Sequence, residues 1–303
     1  MGTHEVEEGL RGASPPQRVG STWLAALRRR GASAYRAGSS IDEALDACRR
    51  LAAHGVASTI GYAARAGESA RHVADRQLAA FSRLAAEELD CYVSVKLSAL
   101  GFDAALFAEL EAAAARSARR LHLDALAPDA VDAIWSLLER SPRHGALGTT
   151  LPGRWQRSAA DASRVAELGL AARVVKGQWA CEPPGRADPA RGFLQVIDRL
   201  RGSAAPVAVA THDVGLLTES LRRLTACGTP CEAELFYGLP FRAPALAARR
   251  LGVPIRVYVP YGDGGAPYDV ADLVRKPIAA AWLAQDLLLG KEKMWRSIRR
   301  SKL

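Results

Sequence analysis

The stretch Arg173-Val-Val-Lys-Gly-Gln-Trp179 sets two cations around two valines and follows them at once with glycine. Val174 and Val175 read as part of a buried strand, where an unpaired charge is costly. Either this is an edge strand with solvated ends, or its charges meet something at the end of the strand. The fold built around the stretch decides between the two.

Working outward in both directions, short apolar β-type runs recur, each followed by a longer stretch of helical period. They are Val56–Ile60, Tyr92–Leu97, Arg120–Asp124, Gly145–Leu151, Arg173–Lys176, Val207–His212, Glu232–Tyr237 and Ile255–Val259. Before the first run, the spacing predicts a helix from Ile41 to His54, with Ser40 as its cap and Gly55 as its stop. Eight strands alternating with helices predict an α/β fold, a (β/α)8 TIM-type barrel with a short N-terminal helical extension. The competing doubly wound sheet advertises a Gly-rich phosphate turn after its first strand, and neither G-x-G-x-x-G nor a P-loop pattern occurs. The expected organisation is a polar, mobile leader over residues 1–35, the barrel over 36–290 and a basic tail over 291–303.

Composition suits such a domain: 303 residues, 49% hydrophobic and 24% charged. No apolar run nears the ~20 residues of a membrane span, and the N-terminus lacks a charged-then-apolar signal pattern. Cys48, Cys91, Cys181, Cys227 and Cys231 are odd in number and scattered, which fits reduced thiols in the cytoplasm better than a disulfide framework. Cys227 and Cys231 lack the second ligand pair of a zinc site, so no metal is expected. The net charge of +9 invites a nucleic-acid partner, but the arginines do not interleave with aromatics. Pairs such as Arg49-Arg50 and Arg222-Arg223 read as solvated helix faces, and no nucleic-acid partner is expected.

In a barrel, residues at the C-terminal ends of the strands face the catalytic mouth. Lys96, Asp124, Lys176, Thr211, His212, Asp213, Tyr237 and Tyr261 gather there. The set is polycationic with one or two acids, which suits an anionic cofactor or substrate. If Arg173 begins strand five, pleating sends Arg173 and Lys176 to opposite faces, so either a bend realigns them or one alone serves the site. Two lysines at strand ends also permit Schiff-base chemistry, the reading of a flavin-free aldolase.

In order, "VSVKLSALG", "LHLDA", "RVVKGQW", "VAVATHD", "AELFYGLP" and "RVYVPYG" resemble the proline dehydrogenase family, collinear over roughly residues 34 to 290. The resemblance implies an FAD-binding (β/α)8 barrel that oxidises the C–N bond of L-proline to a cyclic imine of the 1-pyrroline-5-carboxylate type and passes electrons to a quinone. It implies flavin contacts from Arg173, Lys176, Gly177, Thr211 and His212. Lys96, Asp124 and Tyr258 fall on the substrate side. The family's carboxylate-binding Arg-Arg pair, from the final helix, is matched here by Arg275 and Lys276. Lysine keeps the charge but loses the planar bidentate fork. Asp272 replaces the family's tyrosine, and strand four carries Pro152-Gly153-Arg154 in place of Gln-Ala-Tyr. Arg154 and Tyr268 are candidates for the lost roles. These departures keep open a different amine or amino-acid substrate, as well as a barrel that binds a ligand without catalysis.

The tail Lys291–Leu303 holds six basic residues against one acid, with Met294, Trp295 and Ile298 at near-helical spacing. It is read as a solvated end or as a short interfacial segment giving peripheral contact with the inner membrane face. The closing Ser-Lys-Leu spells a peroxisomal address, which the bacterial style of composition makes a coincidence.

Overall fold

A computed structural model describes residues 35–124, 130–177 and 188–264. Eight parallel strands close into one barrel in sequence order: β1 (Ala57–Tyr62), β2 (Cys91–Val95), β3 (Leu121–Leu123), β4 (Leu147–Pro152), β5 (Ala171–Val175), β6 (Val207–Ala210), β7 (Cys231–Phe236) and β8 (Ile255–Tyr261). β8 pairs back onto β1 with Thr59 opposite Tyr258. Each expected run holds a strand, with ends shifted by a few residues. Gly145 falls in the turn before β4, and Lys96 and His212 lie just past their strands.

Helix α1 (Ile41–Ala52) precedes β1. The crossovers carry α2 (Ala70–Ala85), α3 (Ala104–Arg116), α4 (Val131–Arg140), α5 (Ser158–Glu167), α6 (Pro189–Leu200), α7 (Val214–Thr225) and α8 (Arg242–Arg250). α1 starts at a reciprocal cap: Ser40 Oγ accepts from the Glu43 N–H, and the Glu43 carboxylate accepts from the Ser40 N–H. It packs on both β1 and β8 and so covers the seam where the barrel closes.

The strands are two-faced. Ile60, Val93, Leu121, Val174, Val209, Leu235 and Val259 point outward and are buried beneath the helices. Their neighbours one residue along point into the lumen: Thr59, Ser94, His122, Arg173, Glu234 and Tyr258. Contacts across the lumen prove the direction, since Arg173 of β5 reaches Ser94 of β2 and Glu234 of β7, neither of them an adjacent strand. A barrel lumen is ordinarily packed with branched apolar side chains. This one is filled with charge.

Candidate active site at the barrel mouth

Arg173 does not begin its strand; it occupies the middle of β5, and the unbulged pairing to β4 and β6 turns it inward. Its side chain is 5% exposed. Barrel residues engage all five of its N–H groups. Nε and Nη2 donate to Glu234 at 2.6 and 2.9 Å, Nη1 to Asp124 at 2.6 Å and Ser94 at 3.0 Å, and Nη2 also to the Tyr92 hydroxyl at 3.3 Å. Burial, the largest influence, pulls the guanidinium down, but Glu234, Tyr92 and Asp124 outweigh it and hold it well above its ordinary value. The cation is buried because carboxylates are buried with it.

Asp124, just past β3, joins the lumen to the mouth. Its Oδ1 accepts from Arg173 and from Thr150 Oγ1 at 3.1 Å, and its Oδ2 accepts from the Tyr258 hydroxyl at 3.3 Å. Because the Thr150 hydroxyl proton goes to Asp124, His122 Nε2 is the donor in its 2.9 Å bond to Thr150. His122 Nδ1 is left buried without a partner among the described residues. Burial first, then Arg173, Arg120 and Arg256, hold His122 well below its ordinary value, so the ring is neutral.

Tyr258 stacks on Phe236 with ring centroids 5.4 Å apart and lies 5.1 Å from the Arg173 guanidinium carbon. Burial and then Asp124 raise its phenol well above the usual range, so it stays a hydrogen-bond donor. The ring crosses the mouth because Gly61 has no side chain: a Cβ there would lie 2.0 Å from the Tyr258 hydroxyl.

Lys176 and Gly177 follow β5 on the rim. Lys176 Nζ donates to Asp213 at 2.8 Å, with both side chains roughly 40% exposed (38% and 46%). Gly177 has φ +87°, and a Cβ would press on Pro152 Cβ at 3.0 Å. The Arg154 N–H donates to the Lys176 carbonyl at 3.1 Å, which seats the β4 loop against this turn. Thr211 is buried and accepts from the Asp213 N–H. His212 Nε2 accepts from the Phe236 N–H at 2.8 Å, and Nδ1 donates to the Pro240 carbonyl at 2.8 Å. Burial lowers it to about 4, so it straps the β7–α8 loop as a neutral ring. Lys96 is half-buried just past β2 and forms no ion pair among the described residues. Arg275, Lys276, Tyr268 and the tail fall outside the described residues.

Arg173, Asp124 and Tyr258 thus form one cluster, while Lys176 and His212 belong to the rim. Glu234, Thr150, His122 and Tyr92 were not singled out in the sequence. Glu232-Ala-Glu234 did carry a signal: charges at period two in a parallel strand mark a polar inner face.

Fold and site together define a (β/α)8 barrel whose polar centre opens at the C-terminal mouth. No protein-family model matches the chain. Proline dehydrogenase 1 of Bacillus subtilis subsp. natto is 28% identical over 282 residues, covering 86% of this chain and 91% of that protein, and Proline dehydrogenase 1 of Bacillus subtilis strain 168 matches to the same extent. Among solved structures, proline utilization A from Bdellovibrio bacteriovorus superposes with a TM-score of 0.68 at 16% identity, over 90% of this chain and 34% of that one. Proline utilization A from Corynebacterium freiburgense gives a TM-score of 0.62 at 17% identity, over 91% and 33%. The chain therefore spans about a third of the length of those two proteins. Its sequence is thus similar to those of proline dehydrogenases over most of their length. Among the described residues no helix is long and apolar enough to cross a membrane.

Proposed function

We propose that this chain oxidises the C–N bond of L-proline, or of a close analogue, to a cyclic imine of the 1-pyrroline-5-carboxylate type, with FAD as cofactor and a quinone as final acceptor. The observation that carries the reading is the Arg173–Asp124–Tyr258 cluster at the mouth of a barrel matched by curated proline dehydrogenases over most of its length.

The residues present fit a flavin dinucleotide. Gly177 keeps a left-handed turn free of side-chain bulk beside Lys176, as close approach of a large ligand requires. The Lys176–Asp213 pair is water-exposed, and such pairs contribute under about 1 kcal/mol, so Lys176 exchanges readily onto a ligand anion. Thr211 and His212 shape the adjoining rim. When bound, FAD supplies a two-electron acceptor at the mouth.

The chain's own residues bind and orient. Lys96, with no described carboxylate partner, is the cation on the substrate side and suits the proline carboxylate together with Arg275 and Lys276. Asp124 is fixed by Thr150, Arg173 and Tyr258, which leaves its remaining lone-pair capacity aimed at the mouth for a substrate nitrogen. Tyr258 and Phe236 supply an apolar stacked wall against the substrate ring. The nitrogen must be neutral for the adjacent carbon to give up hydride, and the carboxylate of Asp124 is placed to take part in that proton's departure.

Lys276 in place of a second arginine favours a second reading, a related amine or amino acid on the same flavin barrel. The reading with a flavin-free aldolase has no support among the curated relatives. The test is anaerobic bleaching of the purified flavoprotein by proline, hydroxyproline, pipecolate and simple amines. Bleaching by proline supports the first reading and bleaching by another amine alone the second. A colourless protein without flavin absorbance overturns both.

A further inference from the structure

The flavin reading asks for a positive charge near the reduced cofactor, yet Arg173 does not act as a free one. Two buried carboxylates, Glu234 and Asp124, oppose a single guanidinium, so the three groups together are formally −1. Asp124 faces the mouth, but Glu234 lies deeper, with its side chain 2% exposed. Glu234 holds the fork of the guanidinium with both oxygens, and Thr59 Oγ1 donates to its Oε1 at 2.9 Å. Its three hydrogen bonds, two from Arg173 and one from Thr59, all come from donors. Glu232, two residues nearer the base of the same strand, accepts a single 2.7 Å bond from Arg256 Nε and offers an internal comparison.

We propose that Glu234 is a positioning residue that lowers the electron affinity of the bound flavin, by neutralising Arg173 and keeping its guanidinium drawn down into the lumen. This rests on the flavin reading above. A fixed cation stabilises the electron-rich, reduced cofactor more than the oxidised one. A carboxylate bound in bidentate fashion to that cation cancels most of its field beyond the pair. Glu234→Gln keeps the volume and one acceptor while removing one of the two opposing charges, so the cluster beneath the mouth goes from formally −1 to neutral.

The test is dye-coupled anaerobic titration of the full chain loaded with FAD, read as midpoint potential and as flavin affinity. Glu234→Gln is expected to raise the ratio of reduced to oxidised flavin affinity at least tenfold, a shift of about +30 mV for a two-electron couple. Glu232→Gln is expected to change it less than threefold. A merely structural role would weaken both flavin forms alike and leave the potential in place, which overturns the proposal. If Glu234→Gln does not fold, the paired variant Arg173→Gln/Glu234→Gln removes both charges. Its potential is expected within threefold of the parent ratio, and a fall as large as that of Arg173→Gln alone overturns the proposal. A parent chain that binds no FAD overturns the flavin reading itself and the proposal with it, and absent flavin absorbance in the parent identifies that outcome.

Discussion

Arg173 and Arg256 are two buried arginines, each paired with a glutamate of β7, and Tyr92 lies between them. Their guanidinium carbons stand 5.9 and 4.6 Å from its ring centroid. Burial and then Glu234 push that phenol up to about 12. The resemblance ends with the remaining partners. Arg256 donates to the Ser58 carbonyl at 2.6 Å and to Asp90, whose side chain is 74% exposed. Its cluster lies at the base of the barrel and opens to water. The carboxylate partners of Arg173 are 2% and 11% exposed and lead upward to Tyr258 and the mouth. The same residue type, in the same sort of pair, staples the barrel at one height and is tied to its mouth at another. Position along the strand decides which.

Removing the guanidinium is the strongest way to break this comparison. Arg173→Met strands two buried carboxylates and is expected to cost roughly 3–5 kcal/mol in urea denaturation at neutral pH. Arg256→Met is expected to cost clearly less, because it strands one carboxylate, Glu232, while Asp90 already lies in water. Equal losses would show that both clusters are structural.

Gly61→Ala tests the upper cluster without touching a charge. The added Cβ must displace the Tyr258 ring, at an expected cost of about 1–3 kcal/mol in thermal or urea unfolding. Turnover should fall further than stability accounts for, because Tyr258 loses Asp124. Unchanged turnover would remove Tyr258 from the site.

The rim also carries an acid-sensitive group. His212 is lowered from its ordinary 6.5 to about 4 by burial, so the unfolded chain binds the extra proton between those values. Its contribution is therefore complete above pH 6.5 and is lost as the pH falls toward 4. His122, held low in the lumen, adds in the same direction. His212→Gln should flatten the pH dependence of unfolding by up to one proton's worth across that window. An unaltered slope would mean that the ring titrates freely.

The smallest effect on stability belongs to Lys176. Lys176→Ala should change unfolding by less than about 1 kcal/mol, since its pair with Asp213 is exposed. Flavin occupancy should fall nonetheless. A loss of stability comparable to that of Arg173→Met would place Lys176 in the same structural class as the lumen arginines.

The barrel was legible in the linear sequence because its signals are local. Apolar runs of strand length alternate with helical periods, Ser40 and Glu43 spell a cap, and Gly55 spells a stop, borne out by its φ of +68°. Asp124 is read from its place at a strand end, Arg173 and Tyr258 through the family resemblance, and the structure brings the three side chains into one cluster. Two things were not legible. Arg173 reads as the start of a strand because Ala171 and Ala172 before it are too small to announce one, and only the pairing to β4 and β6 places it mid-strand, facing inward. The partnership of Arg173 with Glu234 joins residues 61 positions apart, and its link to Tyr92 spans 81. No local period encodes such contacts, because they arise only when a closed sheet turns the inner faces of distant strands toward one another. Sequence alone determined that charges had to be satisfied near β5. Barrel closure decided which carboxylates satisfy them, because burial makes an unpaired charge intolerable and closure fixes what lies within hydrogen-bonding reach.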